Sequence, residues 1–286
     1  MFSLEKAYSG THAQRGDRAV AKKDRLPIKT VYYTDENKDE FSTANIKAKK
    51  IDKDYVYISK NPFWHVTRFI AYRLIATPIA FIYSKLVLGQ RVKNKKALRP
   101  YRKKGYFLYV NHTQQIGDAF MPNVALFPKS VYMIVHPDNV SMPVLGRVTP
   151  YLGAIPTPTT ISAMRNFRNA VEKRVLQGKC ITVYPEAHIW PYYTGIRSFP
   201  ATSFSFPADF DEPCFTMTNT YKKRKLFKKP RVVSYIDGPF FPSPDVPKRE
   251  RAEELRGRIY QKMKERSSLS DCEYIRYLPK EKGGEK

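Results

Sequence analysis

The sequence predicts an α/β protein in which helices flank a mixed, largely parallel sheet, preceded by an amphipathic helical hairpin that docks on a membrane. Two observations carry this prediction. Short apolar runs rich in β-branched and aromatic residues alternate with helix-periodic stretches, and one longer apolar segment carries basic and aromatic residues along its edges. With 286 residues, 42% of them hydrophobic, the chain is long enough for a sizeable core.

Five apolar runs predict the strands of the sheet: 106–110, 131–135, 180–184, 215–220 and 232–236. Between the second and the third lies a helix that Thr159 or Thr160 caps and that ends before Gly178. A second helix covers 248–263, where apolar residues recur on one face. This alternation indicates strand-helix-strand units.

The segment 64–88 predicts the membrane-docking hairpin. Its longest charge-free stretch, 74–84, is shorter than the roughly 20 apolar residues that span a bilayer. Pro78 divides the segment into two helical halves, and its basic and aromatic edges favour a position among lipid headgroups. A buried helix pair packed on the domain is the alternative.

We divide the chain into four parts. Residues 1–60 form a basic N-terminal extension with a possible small β-hairpin or extended arm made from the aromatic runs at 31–33 and 55–58. Residues 61–89 form the interfacial helical hairpin, 90–267 the α/β domain and 268–286 a C-terminal tail. Residues 1–30 and 279–286 are predicted to be disordered.

Basic residues outnumber acidic residues by 51 to 26, which gives a formal net charge of +25. Such a surface attracts an anionic membrane, phosphorylated small molecules or nucleic acid. Eight basic residues lie between Arg91 and Lys104 and seven between Lys222 and Arg231, and their place next to an interfacial helix favours an anionic membrane as partner. Solvated loops are the alternative. We expect no nucleic-acid partner, because no binding module is recognisable.

The cysteines predict neither a disulfide framework nor a zinc site. Cys180, Cys214 and Cys272 are far apart, without C-x-x-C spacing. The first thirty residues show no secretory signal. We therefore expect a peripheral or monotopic protein on the cytoplasmic face of the cell membrane.

Two polar clusters follow predicted strands, where α/β sheets place their chemistry. Asn111-His112 follows 106–110, and Asp118 comes six positions after His112, which indicates a catalytic base and the carboxylate that orients it. Glu186 follows 180–184. The alternatives are that His112 caps a turn, that Asp118 begins a helix and that Glu186 is a turn residue.

The order of these clusters resembles the four sequence blocks of the glycerolipid acyltransferase family, which includes the lysophosphatidic acid acyltransferases. The matching segments are Asn111-His112 with Asp118, 152–156, Tyr184-Pro185-Glu186, 195–199 and 213–217. The resemblance covers about residues 64–263, and the preceding apolar segment is similar to the family's membrane-docking helices.

The resemblance implies transfer of an acyl group from acyl-CoA or acyl carrier protein to a hydroxyl of a lysolipid acceptor, with no metal and no cofactor. By the same resemblance His112 is the general base, Asp118 holds its other ring nitrogen and Glu186 shapes the acceptor site. Backbone amides near the second and third blocks would stabilise the oxyanion. The remaining candidates for substrate binding are Asn111, Gly153, His188 and Arg197.

The chain departs from the family pattern in two places. Five residues separate His112 from Asp118 where the family has four, and one extra residue turns a helical side chain by about 100°. We expect Gly117 to absorb it with an unusual backbone angle. The arginines that grip the acceptor phosphate are missing, since Thr159 and Ile189 stand near their positions. Either Arg197, Arg165, Arg147 or His188 replaces them, or the acceptor is a glycolipid, a polyol or a lysolipid with a larger headgroup.

Three functions remain open from sequence. The first is a membrane-surface O-acyltransferase acting on lysophosphatidic acid or a related glycerolipid, with His112 as base. The second is a non-catalytic lipid-binding membrane scaffold derived from this family, as the departures suggest. The third, a nucleic-acid-binding protein, rests on the net charge alone.

Overall fold

The computed structural model describes residues 29–41, 46 and 48–280. Its centre is a seven-stranded sheet in the order β2-β8-β7-β3-β6-β4-β5, in which β7 and β8 are antiparallel and every other neighbouring pair is parallel. The strands are β2 Arg91–Lys93, β3 Tyr106–Val110, β4 Val131–Val135, β5 Ala154–Pro156, β6 Cys180–Val183, β7 Cys214–Lys222 and β8 Arg231–Phe240. The predicted fold class is confirmed, and β3 and β4 have the predicted bounds.

Helices cover both faces of the sheet. The helices are α1 Pro62–Val87, α2 Gly117–Leu126, α3 Leu145–Val148, α4 Ile161–Leu176, α5 Ser205–Phe210 and α6 Arg251–Ser267, with 3₁₀ turns at Lys95–Tyr101, Pro137–Val140 and Ala201–Phe204. Successive side chains of a strand point to opposite faces. On β3, Phe107 therefore packs in the core under α4 and α6, and Leu108 packs in the core under α2.

The apolar segment forms one continuous helix, α1, so the expected helical hairpin is wrong. Its backbone stays right-handed helical through π-helical turns at Ile70–Ala76 and Tyr83–Val87. The first π-helical turn ends just before Pro78, which lacks a backbone donor, and the carbonyl of Tyr72 accepts both the backbone N–H and the Oγ1 hydroxyl of Thr77, the latter at 2.7 Å. The helix continues through Pro78 without a break.

One side of α1 is exposed and apolar. Tyr72, Ala80 and Ser84 are buried against the protein, whereas ten large hydrophobic side chains are exposed: Phe63, Val66, Phe69, Ile70, Leu74, Ile75, Ile79, Ile82, Leu86 and Val87. At 26 residues and about 39 Å, the helix is long and apolar enough to cross a membrane by length and composition.

A two-stranded parallel sheet lies apart from the main sheet. Strand β1, Lys29–Tyr33, pairs with β9, Ile275–Pro279. The small β-hairpin expected within residues 31–58 is wrong, because the partner of β1 comes from the far end of the chain and no second strand forms in the described part of that segment. Lys29, Thr30 and Pro279 are ordered in these strands, and the disorder predicted for 1–28 and 281–286 lies outside the described residues.

Candidate active site

The carboxyl ends of β3, β6 and β7 meet at one edge of the sheet and hold the predicted site residues. Asn111 follows β3 and exchanges two hydrogen bonds with the backbone of Asn219 on β7, at 2.8 and 3.0 Å. Its side chain is buried, so it ties the two strands together and cannot contact a substrate. The prediction of Asn111 as a substrate ligand is therefore wrong, and its effect is to fix where His112 leaves the sheet.

His112 and Asp118 form a hydrogen-bonded pair. The Nδ1 atom of His112 lies 2.7 Å from Oδ2 of Asp118, and the same oxygen accepts the backbone N–H of Gln114 at 2.9 Å. No described residue hydrogen-bonds to Nε2, and the His112 side chain keeps 16% of its surface exposed. The ring is thus held from one side and open to a reactant on the other.

Burial raises the pKa of the Asp118 carboxyl above its ordinary 3.8, and the hydrogen bond and charge of His112 offset part of that rise. Asp118 Oδ1 is buried and has no hydrogen-bond partner among the residues that the structure describes, so Oδ2 carries the contacts that favour the charged form. An ionised Asp118 keeps the ring proton on Nδ1, which leaves the lone pair on Nε2.

The extra residue between His112 and Asp118 is accommodated in a turn. Residues 111–116 are not helical, and α2 starts only at Gly117, so the rotation expected for a helical insertion does not apply. Gly117 does not adopt a positive φ, contrary to our expectation. A Cβ atom there would lie 2.7 Å from Leu88, so the glycine permits close packing of α2 on the end of α1. Asp118 also lies in the first turn of a helix, as the alternative interpretation held.

Tyr184 contacts both members of the His112-Asp118 pair. Its ring stacks on His112 with centroids 4.4 Å apart, and its hydroxyl donates to the carbonyl of Asp118 at 2.6 Å. Burial raises the pKa of Tyr184, so the hydroxyl stays protonated and remains a donor. The sequence places Tyr184 at the end of a predicted strand and in the Tyr184-Pro185-Glu186 block but predicts no role for it, although an aromatic residue before the Pro-Glu motif was the available signal.

Glu186 is buried and binds backbone. Its Oε2 accepts the N–H of His112 at 2.8 Å and its Oε1 accepts the N–H of Arg197 at 2.9 Å. The Arg197 guanidinium lies 3.7 Å from Oε2, and the two side chains are 1% and 0% exposed. Glu186 therefore presents no exposed atom to a substrate, which corrects it as a direct ligand, and it can shape the acceptor site only through the backbone that it binds. It joins the segment after β3 to the loop that carries Arg197.

Arg197 is enclosed as well and cannot reach an acceptor phosphate. Its guanidinium donates to the carbonyls of His188 and Glu36 and lies over the Trp190 ring at 5.0 Å from the centroid. Trp190 itself donates from Nε1 to the carbonyl of Asp39 at 2.8 Å. Arg197 thus holds the segment 36–39 over the site instead of replacing the missing arginines.

His188 lies at the surface of this region beside a carboxylate. Its Nδ1 is 3.2 Å from Oε2 of Glu40, and the two side chains are each 35% exposed. Both carboxylate oxygens of Glu40 also lie 3.2 Å from the backbone nitrogen of Ile189, where the family pattern would put arginine. His188 is the one predicted acceptor ligand among the described residues that keeps a partly exposed side chain, and Glu40 was not anticipated.

Gly153 lies far from His112. It precedes β5, at the amino edge of the sheet, with φ +98°, and a Cβ atom would come within 2.6 Å of the Val131 carbonyl oxygen. This close approach explains the glycine by packing, so Gly153 is not a contact of the reacting centre. Its neighbours Leu152 and Ala154 instead line an apolar cavity.

That cavity lies between the sheet and the helices α1 and α2. It follows β4 from Val131 to Val135 and passes under α1 and the start of α2, with a volume of about 120 Å³. Its wall includes Ala119, next to Asp118, but not His112. Its other lining residues are Tyr72, Ala76, Thr77, Ala80, Phe120, Asn123, Met133, Asn139 and Thr149.

Neither a protein-family model nor a curated protein matches this sequence. The structure, however, is similar to that of the 1-acyl-sn-glycerophosphate (LPA) acyltransferase PlsC from Thermotoga maritima, with a TM-score of 0.51 and 14% identity. The match covers 73% of this chain and 89% of that chain. The chain shares the fold of this solved enzyme. The coverage extends over most of the solved acyltransferase, so the shared architecture includes the central sheet.

No group of three or more His, Cys, Asp or Glu side chains within residues 29–41, 46 and 48–280 is arranged to hold a metal ion. The residues gathered at the carboxyl edge of the sheet suit acid-base chemistry. They provide one oriented imidazole with a free Nε2, a carboxylate behind it and a buried Glu-Arg pair that fixes the backbone around it.

Proposed function

We propose that the protein is a membrane-surface O-acyltransferase that moves a fatty acyl group from acyl-CoA or acyl carrier protein to a hydroxyl of a lysophospholipid. The observation that carries the proposal is the His112-Asp118 pair, with a free Nε2 at the carboxyl edge of an acyltransferase fold. General-base assistance of this kind typically contributes about 10² to 10⁴-fold in rate.

In the proposed reaction His112 Nε2 removes the proton of the acceptor hydroxyl while the oxygen attacks the thioester carbonyl. The tetrahedral intermediate then collapses, the carbon-sulfur bond breaks, and the imidazolium returns the proton to the leaving thiolate. Asp118 accepts from Nδ1 throughout, so it stabilises the positive charge on the ring. The stacked Tyr184 keeps the ring from rotating out of this geometry.

The apolar cavity is the proposed site for the acyl chain. It is lined mainly by aliphatic and aromatic side chains and runs toward the edge that carries His112. Its volume of about 120 Å³ is below the roughly 300–1,000 Å³ of usual ligand pockets. A long acyl chain therefore fits only if α1 moves away from β4. Contact of α1 with a bilayer would allow this movement.

The acceptor in this proposal is a lysophospholipid, lysophosphatidic acid or a related glycerolipid. The position where the resemblance expects a phosphate-binding arginine holds Ile189, whose backbone N–H donates to the Glu40 carboxylate. A phosphomonoester therefore lacks the bidentate guanidinium that would hold it there. We therefore expect lysolipids with a substituted headgroup to be better acceptors than the phosphomonoester.

The test is transfer by the purified protein in vesicles, with acyl-CoA and acyl carrier protein donors and a panel of lysolipids analysed by mass spectrometry. His112→Ala should lower product formation by about 10² to 10⁴-fold. His136→Ala is the matched control, because His136 forms a similar pair with Asp138 at 3.0 Å but is 68% exposed and lies outside the site. Lipid binding without turnover for any donor would favour a non-catalytic scaffold.

A further inference from the structure

A second, larger cavity lies at the opposite edge of the sheet from His112. It has a volume of about 780 Å³ and is formed where the chain enters β3, β4 and β6. Its lining contains seven basic side chains and no carboxylate: Arg73, Arg99, Arg102, Lys103, Lys104, Lys129 and Lys179. We call it the basic cavity.

Two of these cations build the walls. Lys129 donates from Nζ to the carbonyls of Arg102, Lys104 and Gly178 at 3.1, 2.8 and 2.7 Å, which joins the segments entering β3 and β6. Arg73 of α1 donates to the Pro128 carbonyl at 2.6 Å. The basic cavity is therefore held in shape by side chain to backbone bonds.

The other five cations have no direct partner in the part of the chain that the structure describes. Arg99, Arg102, Lys103, Lys104 and Lys179 form no side-chain hydrogen bond and no ion pair with any residue in the described ranges 29–41, 46 and 48–280. Glu212 lies outside the lining, and its pKa is raised first by burial and lowered by the charge of Lys104. The lining itself therefore offers these five side chains no carboxylate partner.

Further positive charge lies behind the cavity wall. Arg174 is 6% exposed and stacks on Tyr132, and Arg68 of α1 lies over the same ring with Nε and Nη2 buried and unpartnered. Burial first, and then Arg68, Arg174 and Arg73, lower the pKa of Lys179. These charges repel one another, so folding concentrates cations here at a cost that a bound anion would remove.

We propose that the basic cavity is a binding site for a ligand that carries several phosphate groups. Arginine and lysine together are the usual ligands of phosphate oxygens, and the volume lies in the range of small-molecule sites. The ligand is either the phosphorylated headgroup of a membrane lipid, since Arg73 comes from the exposed apolar helix, or a soluble organic polyphosphate. This site is separate from the proposed acyl-transfer centre.

The test begins with soluble probes on the full chain. Inositol trisphosphate and adenosine triphosphate are titrated by calorimetry into the wild type, the triple variant Lys103→Ala, Lys104→Ala, Lys179→Ala, and a control triple variant Lys225→Ala, Lys228→Ala, Lys229→Ala. The control removes the same number of positive charges from the exposed loop between β7 and β8, at the edge of the sheet opposite the basic cavity. We expect saturable binding that is at least tenfold weaker in the cavity variant and within twofold of wild type in the control.

A second arm separates the two sources of phosphate. Vesicles with phosphatidylinositol bisphosphate are compared with vesicles of equal charge made from phosphatidylserine, with and without free inositol trisphosphate. Preference for the phosphorylated lipid, competed by the free headgroup, identifies a lipid ligand, whereas tighter binding of a soluble polyphosphate identifies a soluble one. Equal affinity of the cavity and control variants, or no saturable binding of any probe, overturns the proposal. Acyl transfer is not a readout of either arm, so the proposed function is tested separately.

Discussion

The Nδ1 atom of His112 lies 2.7 Å from Oδ2 of Asp118 across a five-residue turn that the family pattern does not contain. The contact survives because the chain between them is not helical, and because α2 begins only at Gly117. The distance between a base and its orienting carboxylate is therefore set by the turn, and the number of intervening residues is a poor guide to it.

Replacing Asp118 with Asn should lower acyl transfer by about 10² to 10⁴-fold while the fold remains. The amide cannot hold the ring proton on Nδ1 as a carboxylate does, so a fraction of the rings carries the proton on Nε2 and cannot act as base. Steady-state kinetics should show the loss in kcat more than in KM. Asp138→Asn, at the exposed His136 pair, is the control. Wild-type turnover in the Asp118 variant would remove the carboxylate from the mechanism.

The same substitution should change how stability depends on pH. Folding raises the pKa of Asp118 through burial, so the folded state holds a proton that the unfolded chain releases near its ordinary value of 3.8. Stability from this group is then present at low pH and is lost as the pH rises through the folded pKa. The amide of the Asp118→Asn variant cannot titrate. In thermal unfolding, the melting temperature of the variant minus that of wild type should therefore increase as the pH rises from 3.8 through the folded pKa of Asp118. A difference that does not change with pH would contradict the prediction.

Glu186→Gln should destabilise the fold. The change leaves the Arg197 guanidinium buried without its carboxylate, and breaking one partner of a buried pair costs about 3–5 kcal/mol. Urea unfolding measures this loss. Glu265→Gln, which removes an exposed partner of Lys262, should cost less than about 1 kcal/mol. Similar losses of unfolding free energy in the two variants would mean that the buried pair stabilises the fold no more than an exposed pair does.

Ala76→Phe should shorten the range of acyl chains that the protein transfers. Ala76 lines the apolar cavity, and a phenyl ring there occupies space proposed for the end of the chain. Competition between short and long acyl-CoA donors, read by mass spectrometry, should shift toward the short donor. Ile75→Phe on the exposed side of α1 is the matched control and should leave the ratio unchanged. An unchanged ratio in the Ala76 variant would place the acyl chain elsewhere.

Leu86→Glu should weaken binding to anionic vesicles. Leu86 is 71% exposed on the apolar side of α1, and a carboxylate there opposes both insertion and the negative lipid surface. Vesicle sedimentation should show a severalfold loss. Ile161→Glu on α4, which is 94% exposed on the other face of the sheet, should bind like wild type. Equal losses would point to a general charge effect instead of docking by α1.

Local patterns in the sequence were sufficient for the centre of the fold. The runs at 106–110 and 131–135 became strands with those bounds, because buried parallel strands are continuous apolar segments bounded by turns. Strands β2 and β5, with three residues each, are too short for a periodic signal. The pairing of β1 with β9 joins Lys29 to Ile275, and no local pattern encodes contacts at that separation.

The site was predictable in its positions but not in its contacts. His112 and Asp118 follow from polar residues after an apolar run, whereas the burial of Glu186 and Arg197 depends on loops from three parts of the chain. Pro78 suggested a break because a missing donor interrupts an α-helix. The π-helical turn that absorbs it has no recognised sequence signature.

The β1-β9 pairing also has a consequence for biosynthesis. Strand β1 emerges from the ribosome early, but its partner is not made until residue 279 has been added. The parallel pair next to the stretch from Tyr33 to Phe41 that packs on Trp190 therefore cannot form while translation of the α/β domain is under way. Formation of this two-stranded sheet is a late event in the life of the nascent chain, after the central sheet has had time to assemble.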